Sequence, residues 1–264
     1  MKYFKGKTIW ITGASSGIGE QIACALAPHA GALILSARNA AALELVKKKC
    51  SVCPKVIVLP FDLADEQAIT QSTTQAYDAV GRIDILFNNG GVSQRASALD
   101  TNEEVERQMF QINYFSNVFL AKLVTQRMIE HGGGHLVITS SLLGKWGFHL
   151  RSTYAATKHA LHGFYDSLRF ETESQGMLIS LVLPGFIRTE ISVHAMDGKG
   201  AMTGEMDANQ AGGISPEACA KKILDGVARK KSEFGVGGKE LLGLKLRRFF
   251  PSFFQGILRK KSAR

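Results

Sequence analysis

Short apolar runs alternate with longer stretches of helical spacing along most of this chain, and that alternation limits its fold more than any other feature. The runs cover residues 8–12, 32–36, 55–61, 83–87, 135–139 and 178–183. Their apolar character is nearly continuous, as expected for strands covered on both faces by helices in a parallel sheet. Between them, residues 17–29, 40–49, 65–80, 102–130 and 153–174 supply the long crossovers that parallel strands require. Pro216 opens a further helix to about Arg229, and residues 234–238 read as a last short strand. The expected fold is a single-domain, doubly wound α/β sheet of about seven parallel strands with helices on both faces. A chain of 264 residues can bury one sizeable core and is short for two ordinary enzyme domains. Residues 187–215, rich in Gly and Met and without a strong period, are expected to be a mobile insertion over the carboxyl edge of the sheet.

Thr12-Gly13-Ala14-Ser15-Ser16-Gly17-Ile18-Gly19 joins the first strand to the first helix. Glycines there let the backbone approach a pyrophosphate lying on the helix N-terminus, so a dinucleotide is the expected occupant. Three glycines alone say little, because any tight turn between a strand and a helix could use them. The second strand ends Leu35-Ser36-Ala37-Arg38, where an acid would otherwise hold a ribose hydroxyl. Ala37 cannot repel a phosphate and Arg38 can grip one, which favours NADP(H) over NAD(H); Arg38 as a merely solvated residue is the bland alternative. Gly13-x-Ser15-x-Gly17 also has the form of a nucleophile elbow. A serine hydrolase is the least favoured reading, because an elbow needs a sheet already laid down before it and Ser15 follows the first strand.

Charge divides the chain at residue 238. From Lys239 onward there are eight basic residues and one acid, Glu240, so this tail carries +7 of the net +9. Cys24, Cys50, Cys53 and Cys219 are too few for a disulfide scaffold in a chain this long, and a reducing, cytoplasmic setting is the simpler expectation. Cys50-x-x-Cys53 has no second pair or nearby His to complete a zinc site, so no metal is expected. The first seven residues are too short and basic for the apolar core of a cleaved signal, and no run of eighteen apolar residues offers a membrane span.

Tyr154 and Lys158 are four apart in a helical stretch and so share a face, with Ser140-Ser141 at the end of the fifth strand upstream. Tyr3 and Lys7 have the same spacing, but no glycine loop or serine is placed to serve them. Thr12-Gly13-x-x-x-Gly17-x-Gly19, Asn88-Asn89-Gly90-Gly91, Asn113, Ser141, Tyr154-x-x-x-Lys158 and Pro184-Gly185 together resemble the short-chain dehydrogenase/reductase family, over roughly residues 6–238. The wording Tyr154-Ala155-Ala156-Thr157-Lys158-His159-Ala160 and the basic extension resemble its member 7B-like branch. One departure is Gly90, where the family usually has Ala; the lost methyl is expected to loosen that turn without removing chemistry.

The resemblance implies a Rossmann-type fold and an oxidoreductase that interconverts a carbonyl and an alcohol. Tyr154 would be the general acid in reduction and the general base in oxidation. Bringing a tyrosine from about 10 to about 7 needs roughly 4 kcal/mol, which an ammonium about 4 Å away supplies at an effective dielectric near 20. Lys158 would be that ammonium and would also bond the nicotinamide ribose, Ser141 would donate to the substrate oxygen, and Asn113 would interrupt a helix and hold a water leading to the lysine. Cofactor contacts are implied for Gly13, Ser15, Ser16, Gly17, Ile18 and Gly19, for Arg38, for Asp62 and Leu63 beside the adenine, for Asn89 and Gly90 on the ribose side, and for Pro184, Gly185, Ile187 and Thr189 near the carboxamide. Asp62 serves equally well as the N-cap of the next helix.

Residues 142–151 and 186–213 follow strand ends on the cofactor side. Leu142, Leu143, Trp146, Phe148, Ile191, Met196, Met202 and Met206 would make the pocket wall apolar, suited to a lipid-like ketone or aldehyde; the alternative is that they merely cover the sheet. In the tail, aromatics mixed with cations suit either an anionic membrane surface or a neighbouring subunit of a homodimer or homotetramer, with Pro251 breaking any continuous helix. Nucleic acid is disfavoured, since the body of the chain shows no basic stripe. A catalytically silent nucleotide-binding regulator or scaffold on the same fold is the rival class, opposed by the intact Ser141, Tyr154 and Lys158.

Overall fold

The computed structural model describes residues 1–262; Ala263 and Arg264, the last two residues of the basic tail, lie outside the described residues. Its strands are β1 (Thr8–Thr12), β2 (Ala32–Ser36), β3 (Val56–Val58), β4 (Ile85–Asn88), β5 (His135–Thr139), β6 (Leu178–Pro184) and β7 (Glu233–Val236). They form one seven-stranded sheet in the order β3-β2-β1-β4-β5-β6-β7, and every pairing is parallel. The chain order reverses between β1 and β4, and in such sheets the crevice at the carboxyl ends of the strands beside this point is where ligands bind. β1 and β2 are buried almost throughout, as their unbroken apolar sequences require.

The helices that flank the sheet are α1 (Gly17–Leu26), α2 (Ala40–Lys49), α3 (Glu66–Val80), α4 (Glu103–Phe110), α5 (Ser116–Glu130), α6 (Ser152–Thr172), α7 (Ala208–Ala211) and α8 (Pro216–Ala228). Local chemistry starts most of them: Asn39, Asp65, Asn102, Asp207 and Ser215 each accept a first-turn backbone N–H. One apolar cluster, including Ile9, Ile11, Ile22, Leu33 and Ile223, lies on one side of the sheet. The other, with Trp10, Leu86, Leu120, Leu161 and Tyr165, lies on the opposite side, because neighbouring strand residues point to opposite faces.

The single long helix expected over 102–130 is interrupted. α4 and α5 are joined by a π-helical turn at Gln111–Phe115 that carries Asn113. The insertion is fastened to the body rather than loose: Met196 N–H donates to Ser93 O at 2.9 Å and Arg95 N–H to Met196 O at 2.8 Å. Beyond β7 the tail folds as α9 (Leu242–Phe249) and α10 (Pro251–Ser262), with the proline at the first position of the second helix, where its missing N–H does no harm. Among the described residues no helix is long and apolar enough to cross a membrane.

Candidate active site

The turn after β1 is shaped by close backbone approach. Gly13 has φ +64°, and a Cβ on Gly19 would stand 2.2 Å from the Gly13 carbonyl oxygen, so a side chain at either position would force the turn open. Ser16 occupies the N-cap position of α1 in extended conformation but makes no side-chain cap bond. The first-turn N–H groups of α1 therefore lack a capping side chain and point toward the carboxyl edge of the sheet, as an anion site requires. Thr189 reaches this turn: its Cγ2 lies 3.2 Å from the Cβ position of Gly17. Arg38, two residues past the end of β2, is exposed and has no acidic partner among the described residues.

Asn113, Ser141, Tyr154 and Lys158 converge on the carboxyl ends of β4 and β5. The π-helical turn aims Asn113 inward, where its Oδ1 accepts the Val92 N–H at 2.8 Å. Its Nδ2 donates to Val92 O at 3.0 Å and to the Thr157 hydroxyl at 3.2 Å. A Cβ on Gly91 would stand 2.9 Å from Asn113 Oδ1 and 3.7 Å from Lys158 Nζ, so both side chains face that glycine. Ser141 Oγ accepts the Leu143 N–H at 3.1 Å, which leaves its proton to be donated elsewhere, and the hydroxyl neighbours the Tyr154 phenol. Tyr154 packs beside Val92 against Val105, Met109 and Met196. Burial pushes its phenol above the ordinary tyrosine value, opposed by the Ser141 hydroxyl and the Arg151 guanidinium. Burial also pushes Lys158 down to about 8.

Residues 7–199 match the short chain dehydrogenase family model. A dehydrogenase/reductase SDR family protein 7-like of Drosophila melanogaster is 37% identical over 98% of this chain and 81% of its own. The dehydrogenase/reductase SDR family member 7B of Bos taurus is 35% identical over 98% of this chain and 82% of its own. The chain belongs to the short-chain dehydrogenase/reductase family. Its fold is also that of a solved short chain dehydrogenase/reductase from Burkholderia phymatum in complex with NAD, with a TM-score of 0.82, 20% identity, and coverage of 94% of this chain and 95% of that one.

Several residues expected to serve this short-chain dehydrogenase/reductase differ in detail from their sequence-based roles. Lys158 Nζ donates to Thr139 O at 3.0 Å and lies 5.7 Å from the centre of the Tyr154 ring, so a strand-end carbonyl anchors the amine beside the phenol. Buried carbonyl and buried amine satisfy each other, and the phenol stays protonated at neutral pH. Asp62 is not a helix cap: Asp65 takes that position, and the side chain of Asp62, exposed in the loop after β3, accepts only the Ala64 N–H. Leu63 Cδ1 stands 2.5 Å from the Cβ position of Gly90, so a leucine methyl fills the space that the family's alanine would use, and the turn is packed rather than loosened. The Asn89 side chain ties three strand ends together, donating to Thr12 O at 3.3 Å and accepting from the Thr139 hydroxyl at 3.1 Å. Glu240 lies against Gly185 after Pro184, and Ile187 is buried in the core, leaving backbone rather than side chain to face the crevice. Leu142 and Trp146 belong to the core cluster beneath the sheet and are not pocket wall.

Arg151 was not singled out by spacing. A cation just before a helix N-terminus is unfavourable, and that oddity was the available signal. It is buried, forms an ion pair with Asp207 of the insertion at 3.1 Å, and donates to Gln94 O beside the site. Through these contacts it fastens the insertion over Tyr154.

Proposed function

We propose that this protein is an NADP(H)-dependent oxidoreductase interconverting a carbonyl and an alcohol on an apolar, lipid-like substrate, with Tyr154 as the proton-transferring group. The observation that carries the reading is the convergence of Asn113, Ser141, Tyr154 and Lys158 beside an uncapped helix N-terminus at one sheet edge. The bound nicotinamide dinucleotide supplies the hydride. The α1 N-terminus from Ser15 to Ile18 suits the pyrophosphate, and Arg38, free of acidic partners, suits a 2′-phosphate. The crevice-side residues Asp62, Leu63, Asn89 and Gly90 suit the adenosine end, and Ile187 and Thr189 the carboxamide.

In reduction, the substrate oxygen accepts a hydrogen bond from Ser141 Oγ and then the proton from Tyr154 Oη, and the phenolate left behind is stabilised by the Lys158 ammonium. The phenol carries its proton at neutral pH, as a donor in reduction must. Leu143, Phe148, Ile191, Met196, Met202 and Met206 remain as apolar candidates for the substrate wall once Leu142 and Trp146 are assigned to the core.

The test is Tyr154→Phe. Turnover of a carbonyl substrate should fall by about a thousandfold or more while NADPH still quenches protein fluorescence with unchanged affinity; retention of most of the rate would remove Tyr154 as the acid. In the same spectrophotometric assay NADPH should be preferred over NADH by about tenfold or more, and Arg38→Asp should reverse the order. A wild-type preference for NADH would sink the assignment of Arg38.

A further inference from the structure

The tail has two faces. Phe254 is buried against Trp146 with ring centres 5.0 Å apart, and Leu241, Leu244, Leu246 and Leu258 pack on the same cluster. Gly243 lies close enough that a Cβ there would stand 3.1 Å from both aromatic rings. With that face docked, α9 and α10 are fixed in orientation, and Phe249, Phe250 and Phe253 are turned outward with exposures of 65%, 62% and 64%. Lys245, Arg247, Arg248, Arg259 and Lys260 are exposed around them, and Arg248 lies over the Phe249 ring at 5.6 Å. The one acid of the tail is turned inward: Glu240 Oε1 accepts the Phe186 N–H at 3.0 Å and the Gly238 N–H at 2.9 Å. At the root of the tail, beside Leu241, a groove of about 580 Å³ is lined by Lys221, Lys222 and Lys231 against a single acid, Asp225.

We propose that this outward face is a docking surface for an anionic lipid bilayer, with Phe249, Phe250 and Phe253 entering the headgroup boundary and the surrounding cations resting on acidic headgroups. Charge decides between this occupant and a second copy of the chain. A two-fold contact would bring the same patch together from both subunits, setting one tail of net charge +7 against another with no outward acid to relieve it. An anionic surface meets the same patch with opposite sign. Three phenylalanines left in water beside cations have the composition of an interfacial segment, and their outward direction is imposed by the docked face rather than by chance exposure. The tail leaves β7 at the carboxyl edge of the sheet, the edge that also carries the candidate site, so docking would hold the crevice close to an apolar phase.

The experiment is flotation of the full chain with phosphatidylcholine vesicles and with phosphatidylcholine vesicles containing phosphatidylserine. Wild type should float with the phosphatidylserine vesicles and stay behind with phosphatidylcholine alone, and added salt should release it. Phe249→Ser, Phe250→Ser and Phe253→Ser together should weaken partitioning by about tenfold or more per side chain. Arg247→Gln, Arg248→Gln and Arg259→Gln together should weaken it by about fivefold per charge. All six side chains project outward, and unchanged circular dichroism and melting would show that the variants fold. Tyr154→Phe should float like wild type, since the face is separate from the crevice chemistry. The proposal is overturned if wild type does not float, if it floats equally with phosphatidylcholine alone, or if the phenylalanine variant floats undiminished. Light scattering that shows a dimer falling to a monomer in the phenylalanine variant, with no vesicle binding by wild type, would make the face a subunit contact instead.

Discussion

Lys158 shows how a single side chain can serve chemistry at the expense of stability. Its pKa is pushed by burial from 10.5 to about 8, which corresponds to about 3 kcal/mol of charge burial at neutral pH. The folded chain releases this proton near pH 8 and the unfolded chain near 10.5, so between those values the unfolded state binds more protons and wild-type stability rises with pH. Lys158→Met removes the buried charge but leaves the Thr139 carbonyl without its donor, a loss of about 1–2 kcal/mol. The variant should therefore be about 1–2 kcal/mol more stable at pH 7 by urea denaturation, lose that advantage by pH 11, and be nearly inactive. If it is less stable than wild type at pH 7, the lysine is not held at a burial cost. For wild type, the rate of carbonyl reduction should fall above about pH 8 as the ammonium that stabilises the Tyr154 phenolate is lost. The spacing of Tyr154 and Lys158 was readable because helix geometry is local. That Lys158 bonds Thr139 O, or that Arg151 pairs with Asp207, depends on where strand ends and insertion meet, which no local pattern encodes.

Elements reach one another through a few polar side chains, and the edge strand β7 is the best case. Glu233 accepts from Lys145 at 2.6 Å and lies 3.2 Å from His162 Nδ1, while His162 Nε2 meets Ser140 Oγ at 3.0 Å. The chain Glu233–His162–Ser140 thus ties β7 and α6 to the residue next to Ser141. It has the order of a hydrolase triad, but Ser140 is buried and its hydroxyl also lies 3.4 Å from Lys158 O, so the network positions the end of β5 rather than presenting a nucleophile. Burial raises the Glu233 carboxyl, but the adjacent His162 ring and the Lys145 ammonium outweigh it and hold the pKa down at about 2, against 4.5 ordinarily. The contribution to stability is complete above about 4.5 and disappears as pH falls toward 2. Because Glu233 is 38% exposed, solvent screening reduces it, and Glu233→Gln should cost about 1 kcal/mol at pH 7 and nothing near pH 2. An equal loss at both pH values, read from thermal melts, would show that packing rather than charge is responsible. The same scale marks where spacing stops: helical periodicity over 102–130 shows no break, and only the family resemblance foretold the interruption at Asn113, because the amide that holds the π-helical turn bonds Val92 across the crevice.

At the scale of the whole molecule, the alternation of strands and helices was enough to foresee a seven-stranded parallel sheet, because each crossover length permits little else. The tail was harder to place. Its charge and aromatics suggested an appendage beyond residue 238, yet one of its four phenylalanines, Phe254, completes the core that the sheet begins. Phe254 packs against Trp146 in that core, and the same loop carries Ser141 at its start. If the tail is structural in this way, its inward and outward phenylalanines must behave oppositely. Phe254→Ala opens a cavity between α10 and Trp146 and should cost about 3 kcal/mol, with a lower melting temperature and greater exposure of the Trp146 fluorescence. Phe253→Ala, one residue earlier and 64% exposed, should leave melting within about 0.5 kcal/mol of wild type. Equal effects from the two substitutions would mean that the helices do not dock by the face described, and the orientation of the cationic surface would fall with them.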